Sequence, residues 1–164
     1  MNSVYVDKTE FIYKIVYSGA KYYFLARPRR FGKSLFLSTL QYFFEGKREL
    51  FKGLFIDSAP WDWEEYPVLR LDLNPERYAE KGKLDDVLAK AFRSWEERYD
   101  VDVKDTNLSQ RFATIIETAH LRTGHKVVIL VDEYDKPLVG NLNDDENFEH
   151  YRLQLATLYA NFKS

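Results

Sequence analysis

Arg27-Pro28-Arg29-Arg30-Phe31-Gly32-Lys33-Ser34 lies between a compact apolar run, Tyr22-Tyr23-Phe24-Leu25-Ala26, and a long apolar stretch from Leu35 to Phe44. The octapeptide fits the G-x-x-x-x-G-K-[ST] phosphate-loop pattern at every fixed position but the first, where Arg27 stands in place of glycine. The physical logic survives that departure. Anions in such a loop are held by backbone N–H groups at the start of the next helix, where unpaired donors and the helix dipole favour negative charge. Gly32 allows close backbone approach, Lys33 can reach the β and γ phosphates, and the Ser34 hydroxyl can enter a magnesium shell. The expected phosphate cradle is Arg29, Arg30, Phe31, Gly32, Lys33, Ser34 and Leu35. Pro28 confines Arg27 to extended backbone, which predicts a stiff loop entrance. Arg29 and Arg30 keep three readings open: phosphate contact, nucleic-acid contact, or solvated loop charge.

Gly-Lys-Ser alone is a frequent accident at a helix start, so the context decides. Tyr22 to Ala26 reads as a buried parallel strand. Leu35, Phe36, Leu37, Leu40, Phe43 and Phe44 cover much of a helical circumference without a breaker, which predicts a largely buried helix from Lys33 to about Phe44, closed by Gly46. Far downstream, Val127-Val128-Ile129-Leu130-Val131 is the purest β-branched run of the chain and stops at Asp132-Glu133. It is expected to be a central strand that delivers two carboxylates to one spot. Asp132 would hold magnesium, usually through a water, and Glu133 would act as general base on the water that attacks the γ-phosphorus. Glu133 and Lys33 are thus the candidate catalytic residues; Ser34 and Asp132 are the candidate metal ligands. An Asp-Glu pair at a strand end is, by itself, more often two solvated charges. Paired with Lys33-Ser34, 99 residues earlier, it reads as the second half of one site in an α/β sheet. Tyr134, Asp135 and Lys136, ahead of Pro137, read as the exit turn.

Asp7 and Glu10 have capping-box spacing ahead of Phe11, Ile12, Ile15 and Val16, which predicts a short helix ending at Gly19. Asp7 and Lys8 are read as its cap. Val68 to Leu73 reads as a second strand that stops before Pro75. Leu84, Val87, Leu88, Ala91, Phe92 and Trp95 make one helical stripe; Phe112, Ile115, Ile116 and Ala119 make another, closing at Gly124, and the two helices should cover the sheet. Phe148, Tyr151, Leu155, Leu158, Tyr159 and Phe162 mark a last amphipathic helix with no stop signal, so truncation is expected there. Trp61 and Trp63 are read as packing a loop rather than stacking on a base.

The length of 164 residues, with 45% hydrophobic and 16% aromatic side chains, suits one globular domain over residues 1–164. There is no cysteine, which excludes disulfides and thiolate metal sites, and His120, His125 and His150 lack zinc-ligand spacing. No export segment or membrane-length apolar run is seen, so a soluble cytoplasmic protein without membrane contact is expected. Residues 1–53 carry ten of the 24 Lys/Arg and four of the 26 Asp/Glu, leaving fourteen against twenty-two beyond them. That asymmetry suggests an anion-facing N-terminal third.

Tyr5-Val6-Asp7-Lys8-Thr9, Phe24-Leu25-Ala26-Arg27-Pro28-Arg29-Arg30-Phe31-Gly32-Lys33-Ser34-Leu35, Leu50-Phe51-Lys52-Gly53-Leu54 and Val131-Asp132-Glu133-Tyr134-Asp135-Lys136-Pro137 together resemble the AAA-ATPase-like proteins of bacteria and archaea. The resemblance covers nearly the whole chain, and that family shares the arginine at position 27. It implies the three-layer α/β sandwich of P-loop NTPases, built on a mainly parallel sheet, with ATP and Mg2+ as cofactors. It also implies a module that commonly precedes a nuclease-like domain of the PD-(D/E)XK class, in proteins suspected of mobile-element or defence roles. By analogy with ATPases that carry Glu after the metal Asp, the sheet strand with the polar sensor should follow Ser164. Residues 1–164 would then lack that strand, the sensor and any arginine finger, and a second copy or partner chain would complete the sheet. Three function classes follow: ATP hydrolysis coupled to an effector domain, with little turnover expected of this stretch alone; a nucleotide-gated switch responding to DNA; and a small-molecule phosphotransferase. ATP is preferred to GTP on the resemblance alone.

Overall fold

The computed structural model describes residues 5–25, 32–74, 78–104 and 107–163. The chain divides into two compact units, Met1–Val68 and Leu69–Ser164.

In the first unit, helix α1 spans Thr9–Tyr17 and helix α2 spans Lys33–Phe44, followed by 3-10 turns at Arg48–Phe51 and Phe55–Ser58. The predicted cap of α1 is half correct. Asp7 Oδ1 accepts from the Thr9 amide at 2.8 Å and the Thr9 hydroxyl at 2.7 Å, so the aspartate does fix the helix start. The reciprocal half of the box is absent, because Glu10 pairs forward with Lys14 at 2.7 Å. Asp7 Oδ2 instead accepts from the Phe55 amide at 2.8 Å, and the Ile56 amide donates to buried Thr9 Oγ1 at 3.1 Å. The two residues thus serve as a tether between α1 and the second turn.

Phe43 is the centre of this unit's core. Its ring lies 5.0 Å from Trp61, 5.3 Å from Trp63 and 6.0 Å from Phe51, so both tryptophans pack as expected. Gly46 ends α2 in a left-handed conformation (φ 69°), and a Cβ there would meet the Trp63 carbonyl oxygen at 2.8 Å. Two expectations need correction. Residues 22–25 form no strand: Tyr22 and Tyr23 are exposed, and Phe24 is 70% exposed. Apolar, β-prone composition expresses a demand for a pleated, covered surface, and it makes a strand only where another backbone supplies the ladder. Helix α2 is also less buried than its composition suggests, since only Leu40 and Phe43 are fully enclosed while Leu35 stands 58% exposed.

The second unit is a small parallel sheet under helices. Strand β1 (Val68–Asp72) pairs with β2 (Val128–Asp132). Both strands lie where the sequence places them, within one residue. Helices α3 (Lys83–Tyr99), α4 (Leu108–Thr123), α5 (Lys136–Val139) and α6 (Asp145–Ala160) complete it, with Phe162 in a closing 3-10 turn. The helical stripes become the core: Leu84, Leu88, Phe92 and Trp95 from α3, Phe112, Ile115 and Ala119 from α4, and Tyr151, Leu155 and Leu158 from α6 bury together with Leu69, Leu71 and Leu73. Phe92 and Phe112 stack at 5.4 Å with planes 7° apart. The Asn107 side chain caps α4 by accepting from the Ser109 and Gln110 amides, and left-handed Gly124 closes it. At the rim, Arg111 forks onto the buried Glu96 carboxylate at 2.9 and 2.8 Å. The architecture is mixed α/β and mostly helical. No described helix is long and apolar enough to cross a membrane.

Candidate functional site

The predicted residues fall into two groups, one in each unit. In the first, Arg29, Arg30 and Phe31 lie outside the described residues. Gly32 is the N-cap of α2, left-handed at φ 76° and ψ 25°, a conformation glycine adopts without strain. Lys33 is the first helical residue and half-buried; Ser34 and Leu35 follow in the first turn and are exposed. The 12-residue helix carries no acidic residue in that turn, so nothing there opposes an anion. Among the described residues, the only atom that a Cβ on Gly32 would approach is the Lys8 Nζ, at 4.0 Å. The end of Lys8 therefore stands beside Gly32. Sequence reading missed this, because Lys8 takes its local role from the α1 cap and only folding brings its ammonium to Gly32.

In the second unit, the carboxyl ends of β1 and β2 form the other group, the position where parallel sheets present ligand-binding residues. Asp132 is the last residue of β2 and only 2% exposed. A cation beside a buried carboxylate offsets the cost of burying its charge. Glu133 is half-buried and holds a left-handed backbone at φ 53°, an uncommon state for a residue with a side chain. The chain then closes a turn, the Lys136 amide donating to the Glu133 carbonyl at 3.0 Å, and enters α5. Of the expected exit turn, Tyr134 and Asp135 form it, while Lys136 is already the first residue of α5.

Sequence reading stopped at Asp132 and Glu133 on this edge, and the structure adds β1. The Leu73 amide donates to the Asp132 carbonyl at 3.1 Å, and the Asn74 amide donates to Asp72 Oδ1 at 2.9 Å. The Lys136 ammonium donates to both oxygens of Asn74, to Oδ1 at 2.8 Å. The Asp72-Leu73-Asn74 stretch before Pro75 looked like a mere strand terminus, and only the pairing of β1 with β2 assigns it here. Behind the turn, the Tyr159 hydroxyl is buried with no partner among the described residues. Burial, with Tyr134 and Asp135 nearby, pushes it up to about 12. No described group of three or more His, Cys, Asp or Glu could hold a metal ion by itself.

Against known proteins, the model of the AAA-ATPase-like family, described as predicted AAA-ATPase, matches residues 1–164. A protein of Azotobacter chroococcum mcd 1, described as an uncharacterized protein in the vnfD 5' region, is 39% identical over 160 residues. The match takes in 97% of this chain and 31% of that protein, so the chain spans about a third of the length of its relative. No solved structure matches. By the family model's match along its whole length, the chain belongs to the AAA-ATPase-like family.

Proposed function

We propose that the chain binds a magnesium–nucleoside triphosphate, ATP by family resemblance, and hydrolyses its terminal phosphate as one module of a longer protein. In that reading Lys33 and Ser34 serve the phosphates, and Asp132 and Glu133 serve the metal and the water. The observation that supports it is the pairing of chemistries at two element ends, Gly32 left-handed at the N-terminus of α2 and Asp132 buried at the end of β2. Ser34 and Asp132 offer hard oxygen ligands of the kind magnesium takes.

Lys33 neutralises phosphoryl charge, assisted by the Lys8 ammonium beside Gly32. Gly32 leaves open space, among the described residues, where the backbone must approach an anion. Magnesium, when bound, offsets the charge that develops on the phosphoryl oxygens. Glu133 accepts a proton from water as the water oxygen bonds to the terminal phosphorus and the bridging P–O bond breaks. Coupling to an effector, and a partner that extends the sheet, belong to the same proposal. The test is calorimetric titration with magnesium and ATP. Wild type should bind, Lys33→Ala should not, and Glu133→Gln should bind without turning over; equal binding by wild type and Lys33→Ala would sink the reading.

A further inference from the structure

The geometry points to Asn74 and Lys136 as positioning residues for Glu133, an inference that rests on the ATPase reading above. Hydrogen bonds lace the two strand ends into a closed ring. From Asp132 the chain passes to Glu133, whose carbonyl accepts from the Lys136 amide; the Lys136 ammonium grips Asn74; and Leu73, next to Asn74, returns to the Asp132 carbonyl. Asp72 steadies the far side by accepting from the Asn74 amide.

Glu133 is the strained member of that ring. A left-handed residue with a Cβ costs about 1–2 kcal/mol, and such a conformation persists only where its surroundings over-determine it. Backbone bonds hold the turn from within, the Lys136 amide on the Glu133 carbonyl and the Leu138 and Val139 amides on the Asp135 carbonyl. The Lys136 side chain adds an anchor from outside it, reaching across to Asn74 beyond the end of β1. Among the described residues it donates to a neutral amide and a carbonyl rather than to a carboxylate. A group that must place a water against phosphorus needs this rigidity, because displacement of a reacting group by about 1 Å can lower a rate by about 100-fold.

The test compares wild type, Lys136→Met, Lys136→Arg and Asn74→Ala in the intact polypeptide. Lys136→Met should lower kcat for ATP by about tenfold or more while KM stays within about twofold, since Lys33 and Asp132 are untouched. Lys136→Arg, which can still donate to both Asn74 oxygens, should recover most of the rate, and Asn74→Ala should fall between. In nucleotide-free protein, amide hydrogen exchange at residues 133–136 should rise in Lys136→Met while α3 and α4 keep their protection. Unchanged kcat and unchanged exchange in Lys136→Met would overturn the inference. So would a uniform loss of kcat, affinity and melting temperature that arginine fails to rescue. If wild type does not bind magnesium–ATP, the ATPase reading falls instead, and the exchange comparison still reports separately whether the ring holds the turn.

Discussion

Replacing Asp132 by asparagine should make the nucleotide-free protein more stable while removing its response to magnesium. Asp132 is only 2% exposed, and in the proposed reading a bound cation is the counter-charge of its carboxylate. An unpaired buried polar group costs about 1–3 kcal/mol, and a charged one more. Asn keeps the shape without the charge, so the gain is the difference between the charged and neutral costs, roughly 1–2 kcal/mol. For a unit of the size of Leu69–Ser164, each kcal/mol moves Tm by about 4–8 °C, which puts the expected rise at roughly 4 °C or more. Wild type, by contrast, should gain about 2.7 kcal/mol from a ligand at 100 times its Kd, and the magnesium-dependent share of that gain should vanish in Asp132→Asn. Differential scanning calorimetry in EDTA, then with magnesium and nucleotide, reads both. If Asp132→Asn melts below wild type in EDTA, the carboxylate is satisfied within the fold and its assignment to a cation fails.

Other outcomes can be checked on the same preparations. Gly46→Ala should destabilise by more than the left-handed penalty of about 1–2 kcal/mol, because its Cβ would meet the Trp63 carbonyl at 2.8 Å; Gly53→Ala, with open space around it, should show the penalty alone in urea melts. Burial works to raise the Asp7 carboxyl, but hydrogen bonds from Phe55 and Thr9 outweigh it and hold the group below its ordinary range. Its stabilisation is therefore present above about pH 4 and lost as pH falls further, and Asp7→Asn should flatten the acid limb of a stability titration. Tyr159 runs the other way: raised from 10 to about 12, it favours the fold below pH 10 and less so as pH climbs toward 12. Tyr159→Phe should remove that alkaline loss in circular-dichroism melts and, with its unpartnered hydroxyl gone, match or exceed wild-type stability at pH 7.

Elements whose partners are local or amphipathic were legible in the sequence. The stripes of α3 and α4 announced one buried face each, Gly124 and Gly46 marked stops, and the β-branched run before Asp132 marked a strand, though among the described residues it pairs only with β1 and is half-buried over most of its length rather than central. Residues 22–25 defeated the same reasoning because a strand is a property of two backbones, and composition states the need without naming the neighbour. Asp7 was read as a cap from its spacing to Glu10, yet its second oxygen is engaged by Phe55, 48 residues away, which no local pattern encodes. Lys8 and Asn74 were missed for a related reason. Each looks like a terminus of its own element, and each meets the candidate site only through tertiary contacts.

Asp132 and Glu133 show why adjacency in sequence is not adjacency in a site. Along a strand, consecutive side chains point to opposite faces, so two neighbouring carboxylates in regular β conformation would diverge rather than share a task. The strand ends at Asp132, and the next residue leaves the β region altogether. Glu133 is thereby released from the alternation, at a cost in backbone strain that its bonds to Lys136, and through Lys136 to Asn74, offset. If Asp132 is the metal ligand and Glu133 the base, as proposed, the two are set independently, the first by the ladder bond between Leu73 and Asp132, the second by a turn held also from outside the strand. Changes to the ladder should therefore act on metal-linked stability, changes to the Asn74–Lys136 grip on turnover. A protein in which both kinds of change produced the same phenotype would not be dividing the work in this way.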